Sequence, residues 1–100
     1  MSGVQASPVT DNAERRRFEL TEQGLVAFAD YLRQEKADGQ LVLNLYHVEA
    51  PVALRGTGAA SRLMEGVQAH ARAEGLKIVP TCAYAAAWFT RHPEARDVLA

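Results

Sequence analysis

Arg55-Gly56-Thr57-Gly58-Ala59-Ala60, running on into Ser61-Arg62-Leu63-Met64, is the stretch on which the fold turns. Before it lies Leu41-Val42-Leu43-Asn44-Leu45-Tyr46-His47-Val48, which reads as a strand. After it Ala60, Leu63, Met64, Val67 and Ala71 recur at helical spacing, with Arg62, Glu65 and Arg72 largely outside that stripe. The chain therefore passes through two glycines into a helix expected over Thr57 to Glu74, which Gly75 ends as a C-cap. Leu76 to Cys82, with β-branched Ile78, Val79 and Thr81, reads as the next strand. Ala83 to Arg91 reads as a helix stopped by His92-Pro93. A strand-helix-strand unit of this length implies a parallel pair with a right-handed crossover. That places the strand ends near Val48 and Cys82 on one edge of the sheet, where ligands of such sheets bind.

Working towards the N-terminus, the turn signal Ala37-Asp38-Gly39 suggests a hairpin leading into the strand at Leu41. Leu25 to Arg33 fits two periods: Leu25, Phe28, Ala29 and Leu32 have helical spacing. Alternatively, Val26, Phe28 and Leu32 alternate with Ala27, Ala29 and Tyr31 as in a strand buried on both faces. The hairpin signal favours the strand. Arg15-Arg16-Arg17-Phe18-Glu19-Leu20 reads as a further short strand, Phe18 and Leu20 sharing a face and the arginines forming a charged edge or a small binding patch. Residues 1–14 mix Ser, Gly, Pro, Asp and Asn with isolated apolar residues and read as a mobile tail, so the domain is expected over 15–100. The expected class is α/β with a mixed sheet (α+β): antiparallel strands followed by strand, helix, strand, helix.

At 100 residues, with 48% hydrophobic side chains, this is one domain. A net charge of −1 removes the basic surface expected of a nucleic-acid binder, and no apolar stretch approaches a bilayer-spanning length. A lone cysteine, Cys82, permits no internal disulfide and fits a reducing, cytoplasmic setting. Neither nucleic acid nor a membrane is the expected partner.

The glycine stretch carries the chemistry. Gly56 and Gly58 remove side chains where backbone N–H groups at a helix start could approach a ligand, the helix dipole adds partial positive charge, and Arg55 adds a formal one. This is a cradle for phosphate or pyrophosphate. A P-loop is excluded because no Gly-Lys pair follows either glycine, and a dinucleotide fingerprint fails at Ser61, where a third glycine belongs. A simple tight turn remains the bland alternative.

Arg55-x-x-Gly58-x-Ala60 fits the Q/R-x-x-G-x-G/A signature of the GNAT acetyltransferase superfamily. With Gly75-Leu76-Lys77-Ile78-Val79-Pro80-Thr81-Cys82-Ala83-Tyr84 and Arg91-His92-Pro93-Glu94, the chain resembles the small single-domain GNAT-like proteins of the YjdJ type, from about Phe18 to Leu99. The resemblance implies a minimal acyl-CoA N-acyltransferase fold with acyl-CoA wedged where two parallel strands splay. Arg55, Gly56, Thr57, Gly58, Ala59 and Ala60 would then hold the pyrophosphate of acetyl-CoA, and the strand around Val48 would line the pantetheine arm. Full-length members carry helices that shape an acceptor pocket, and here those are absent or replaced by strand.

Four residues are candidates for the reacting groups. Cys82, at the end of the strand after the crossover, could take up the acyl group, protonate the departing thiolate, or be a buried structural thiol. His47 and Glu49 share strand parity, and either could deprotonate an acceptor amine, although a structural histidine and a solvated carboxylate are the plain alternatives. Tyr84 could hydrogen-bond the cofactor, protonate its thiolate, or merely pack. His70 and His92 are too scattered, with one cysteine, to make a metal set, so no metal is expected. Three functional classes follow: an acetyl-CoA-dependent N-acetyltransferase acting on an unidentified amine, an acyl-CoA-binding module with weak or no turnover, or an interaction domain whose glycine loop is only a turn.

Overall fold

The computed structural model describes residues 8–100. Its elements are β1 (Thr10–Asn12), β2 (Arg17–Glu22), β3 (Leu25–Glu35), β4 (Leu41–Glu49), a 3-10 turn (Val52–Leu54), α1 (Ala59–Glu74), β5 (Lys77–Pro80), α2 (Ala83–Arg91) and a closing 3-10 segment (Pro93–Val98). The strands form one five-stranded sheet in sequence order, antiparallel from β1 to β4 and parallel between β4 and β5. This is the mixed α/β architecture expected from the sequence, including the parallel pair across the crossover helix.

Local chemistry explains the joints. Gln23 and Gly24 both have positive φ, 53° and 72°, and link β2 to β3 by the two-residue turn whose twist suits a hairpin. Gly75 ends α1 at φ 70°, and the Leu76 N–H returns to the Ala71 carbonyl at 2.8 Å, the Schellman pattern that closes a helix on a glycine.

One core lies between the sheet and its helices. Phe18, Leu20, Ala27, Ala29, Tyr31, Leu43, Leu45 and Ile78 from the sheet pack with Leu63, Met64, Val67 and Ala71 of α1 and with Trp88 and Phe89 of α2. The expected apolar stripe of α1 is rotated slightly at its start, because Ala59 is buried and Ala60 only half-buried.

Two expectations need correction. The segment 1–14 is not all tail: Thr10–Asn12 pairs with β2, and Asp11, facing inward beside Phe18, accepts a 2.6 Å hydrogen bond from the Tyr31 hydroxyl. Residues 1–7 lie outside the described residues. Nor is β3 buried on both faces. Ala27, Ala29 and Tyr31 point to the helices, while Val26 and Phe28 are half-buried and Leu32 is 46% exposed on the opposite face, because both helices lie on one side only.

The parallel pairing of β4 with β5 ends at Leu45 opposite Pro80. There the Thr81 and Cys82 N–H groups both donate to the Leu45 carbonyl at 3.0 Å, and the chain turns away into α2. β4 runs on to Glu49 beside β3, with a bulge at Tyr46 where the register slips. The two parallel strands therefore part just where the loop to α1 begins.

Candidate functional site

The loop that leaves β4 is shaped by its own backbone. Leu54 is buried and anchors the 3-10 turn, and its carbonyl accepts from both the Thr57 N–H at 3.2 Å and the Thr57 hydroxyl at 2.5 Å. That hydroxyl in turn accepts from the Ala59 N–H at 3.3 Å. Gly56 at φ 81° and Gly58 at φ 88° sit in the left-handed region that side chains disfavour. Among the described residues the N–H groups of Gly56, Gly58, Ala60 and Ser61 have no partner, so the first turn of α1 offers several donors together with the positive end of its dipole.

Those donors open on a pocket of about 240 Å³ lined by Ala50, Leu54, Arg55, Gly56, Gly58, Ala59, Ala60, Ser61 and Tyr84. Arg55 is held beside it by its Nε–H donating to the Ala50 carbonyl at 3.1 Å, which leaves its terminal nitrogens without a partner among the described residues. A Cβ at Gly56 would meet nothing within 4 Å, so the bare backbone there faces open space, as close approach of a phosphate requires. Tyr84 closes the far side, and burial pushes its phenol above the ordinary range, so it stays protonated as a donor. A pyrophosphate fits this set of donors.

The second glycine has another duty. A Cβ at Gly58 would come within 2.9 Å of Arg62 Nη1. The Arg62 side chain spans the helix start, donating Nη1–H to the Thr57 carbonyl at 3.1 Å, and Nε–H and Nη2–H to Glu22 at 2.8 and 2.7 Å. This two-pronged contact holds the Glu22 carboxyl below its ordinary range and ties the cradle to the end of β2.

The sequence candidates fall into separate places. Arg55, Gly56, Gly58, Ala59, Ala60 and Tyr84 come together around the pocket. Thr57 turns its hydroxyl inward to cap the loop, and Val48 points to the helix-covered face, half-buried against the core. Cys82 stands half-buried at the start of α2, one residue beyond the splay, and does not line the pocket. His47 and Glu49 lie on the open face of the sheet, where His47 Nε2 meets Glu49 Oε1 at 2.9 Å and the Phe28 ring lies 6.0 Å from the imidazole. The bulge at Tyr46 precedes both, so their parity holds.

Sequence reading missed Ser61 as anything more than a failed glycine. Its hydroxyl accepts the Trp88 indole N–H at 2.9 Å, binding α2 to the first turn of α1 and so fixing Tyr84 relative to the loop. Only the tertiary fold brings those two positions together, and no spacing in the chain signals it. Among the described residues no cluster of three or more His, Cys, Asp or Glu could hold a metal ion, and no helix is long and apolar enough to cross a membrane. A family model described as GCN5-related N-acetyl-transferase matches residues 17–98.

Proposed function

Because the chain belongs to the GCN5-related N-acetyltransferase family, we propose that it takes acetyl-CoA as donor and transfers the acetyl group directly to an amine acceptor, its identity open. The observation that carries this reading is the pocket at the start of α1, where unpartnered N–H groups, two left-handed glycines and Arg55 converge beside the parting of β4 and β5.

In this reading the pyrophosphate rests on the N–H groups of residues 56–61 with Arg55 as its charged partner, and the pantetheine arm follows β4 past Val48 into the splay. Glu49 or His47, hydrogen-bonded to each other, removes a proton from the acceptor ammonium. The amine nitrogen forms a bond to the acetyl carbonyl carbon, the carbon–sulfur bond breaks, the thiolate takes a proton from Tyr84 or Cys82, and the second proton lost by the nitrogen as it becomes the amide restores that group. Both candidate bases are about half exposed, on a face that no helix covers among the described residues. That openness favours a second reading, an acyl-CoA-binding protein with weak or no turnover.

A screen of amines with acetyl-CoA, following release of free thiol, separates the two. Sustained thiol release matched by an acetylated amine supports the transferase. Saturable acetyl-CoA binding with no turnover supports the binding module, and no binding at all removes both. Intact mass in the absence of acceptor addresses the route: no acetyl group accumulating on Cys82 is the expected result. A Cys82 thioester that passes its acetyl to an added amine at a competent rate would replace direct transfer by a covalent path.

A further inference from the structure

β3 is longer than the strand beside it. Its pairing with β2 ends at Asp30 opposite Arg17, with one further bond from the Tyr31 N–H to the Arg16 carbonyl at 2.9 Å. β3 then continues to Glu35 with β4 as its neighbour. Hydrogen-bonding groups alternate sides along a strand, so the Tyr31 carbonyl, the Arg33 N–H and carbonyl, and the Glu35 N–H all face the side that β2 has left. The Arg16 N–H, which would continue the ladder, instead donates to the Ala13 carbonyl at 3.2 Å, and Arg16 sits at φ 55°, a left-handed conformation uncommon for arginine. The turn thus stops β2 abruptly and leaves an edge.

A cavity of about 370 Å³ lies at that edge, lined by Ala13, Arg16, Tyr31, Leu32 and Arg33. Its two cations have no carboxylate partner among the described residues, as is also true of Arg15, Arg55, Arg91 and Arg96. Arg17, Arg62 and Arg72 are each ion-paired, with Glu19, Glu22 and Asp97, whereas the side chains of Arg16 and Arg33 have no partner among the described residues.

We propose that this edge docks an extended, acidic segment of a partner protein, which adds as a strand along residues 31–35 and sets its carboxylates on Arg16 and Arg33. The order of groups along the edge, acceptor, donor, acceptor, donor, is complemented by a polypeptide backbone. A bare anion would satisfy the arginines and the Arg33 N–H but would face two carbonyl oxygens. A second copy of this chain, paired about a twofold axis through residue 34, would set Arg33 against Glu35 of the other copy, and it is the competing occupant that the test separates. An acidic strand answers both Arg16 and Arg33 as well as the backbone groups, at a place remote from the cradle and independent of the acetyl-transfer reading.

The test uses the full chain, ¹⁵N-labelled, with a short capped peptide alternating valine and glutamate. Three further probes are its lysine counterpart, versions N-methylated at alternate residues in either phase, and inorganic phosphate. The acidic peptide is expected to move the Arg33 and Glu35 amide signals and slow their hydrogen exchange. The lysine peptide is expected to leave them unchanged, and one N-methylation phase to abolish binding. Arg33→Gln, and separately Arg16→Gly, which suits the left-handed turn, should each weaken the acidic peptide roughly tenfold. Phosphate matching the acidic peptide at the same amides, or tolerance of both N-methylation phases, would reduce the edge to an anion site and overturn strand addition. So would absence of any shift with the acidic peptide. Protection of Arg33 that rises with protein concentration alone would assign the edge to a second copy instead.

Discussion

The two faces of the sheet are built on opposite principles. On the covered face, Phe18, Ala29, Leu43 and Ile78 meet two helices in one buried core, and the loop into α1 is held by a chain of hydrogen bonds from Glu22 through Arg62 to Thr57. Among the described residues the other face carries no helix. Its apolar groups are sheltered only by neighbours, as where the Arg17 guanidinium sits 4.4 Å over the Phe28 ring, and its charges answer one another, Arg17 with Glu19 and His47 with Glu49. Under the proposed function, the covered side is a preorganised donor half and the other an acceptor half left open to whatever approaches.

The sharpest way to break that contrast is to remove the group that binds the helices together. Trp88 is buried, donates to Ser61 and stacks on His92 at 4.1 Å. Trp88→Ala should cost about 3–5 kcal/mol of folding stability. Leu32→Ala on the open face should cost under about 0.5 kcal/mol. Urea unfolding midpoints of the two variants decide the matter, and comparable losses would mean that the open face is packed after all.

Next in size is the chemical role proposed for the open face. Glu49→Gln or His47→Ala should lower turnover of an identified amine by roughly a hundredfold to ten-thousandfold while leaving acetyl-CoA affinity unchanged. Cys82→Ser should keep much of the rate. The reverse ranking would move the chemistry off the open face and onto the start of α2.

On the covered side, Arg55→Ala should weaken CoA binding by about 1.5–3 kcal/mol in calorimetry with the fold intact. Gly58→Val should weaken it as well, and should also lower stability, since the new Cβ displaces Arg62 from Thr57 and strains a backbone at φ 88°. Unchanged affinity in both variants, each confirmed folded, would remove the phosphate assignment.

The second half of the chain was readable because each of its decisions is local. Gly58, Gly75 and the Ala83 start act within a few residues, and a parallel pair across one helix follows from length and handedness. The left-handed glycine loop ahead of α1 was readable for the same reason. What stayed hidden depends on contacts between distant residues. Nothing in Thr10-Asp11-Asn12 marks a strand, since its pairing with β2 and the Tyr31 hydroxyl that reaches Asp11 across twenty positions exist only in the fold. The alternation of Val26, Phe28 and Leu32 announced an apolar face without saying that no helix would cover it, because coverage is decided by how many helices the chain contains. Ser61 gained a partner only when α2 folded back.

A smaller loss than these tests whether β1 belongs to the covered face at all. Burial, and then the hydrogen bond to Asp11, push the Tyr31 phenol up from 10.0 to about 12, with Arg33 acting weakly the other way. In the unfolded chain the phenol ionises near its ordinary value, so through this window the unfolded state has released a proton that the folded state still holds. The contribution of Tyr31 is therefore fully present below pH 10.0 and is lost as pH rises towards about 12. Tyr31→Phe should lose about 1 kcal/mol at neutral pH, from the broken hydrogen bond. Across the alkaline window its stability should fall less steeply than that of the unsubstituted chain, as read from urea midpoints at stepped pH. Parallel slopes would mean that the phenol is neither buried nor held, and an unchanged stability of Tyr31→Phe at neutral pH would mean that Asp11 does not hold it and that β1 is the loose tail its composition suggests.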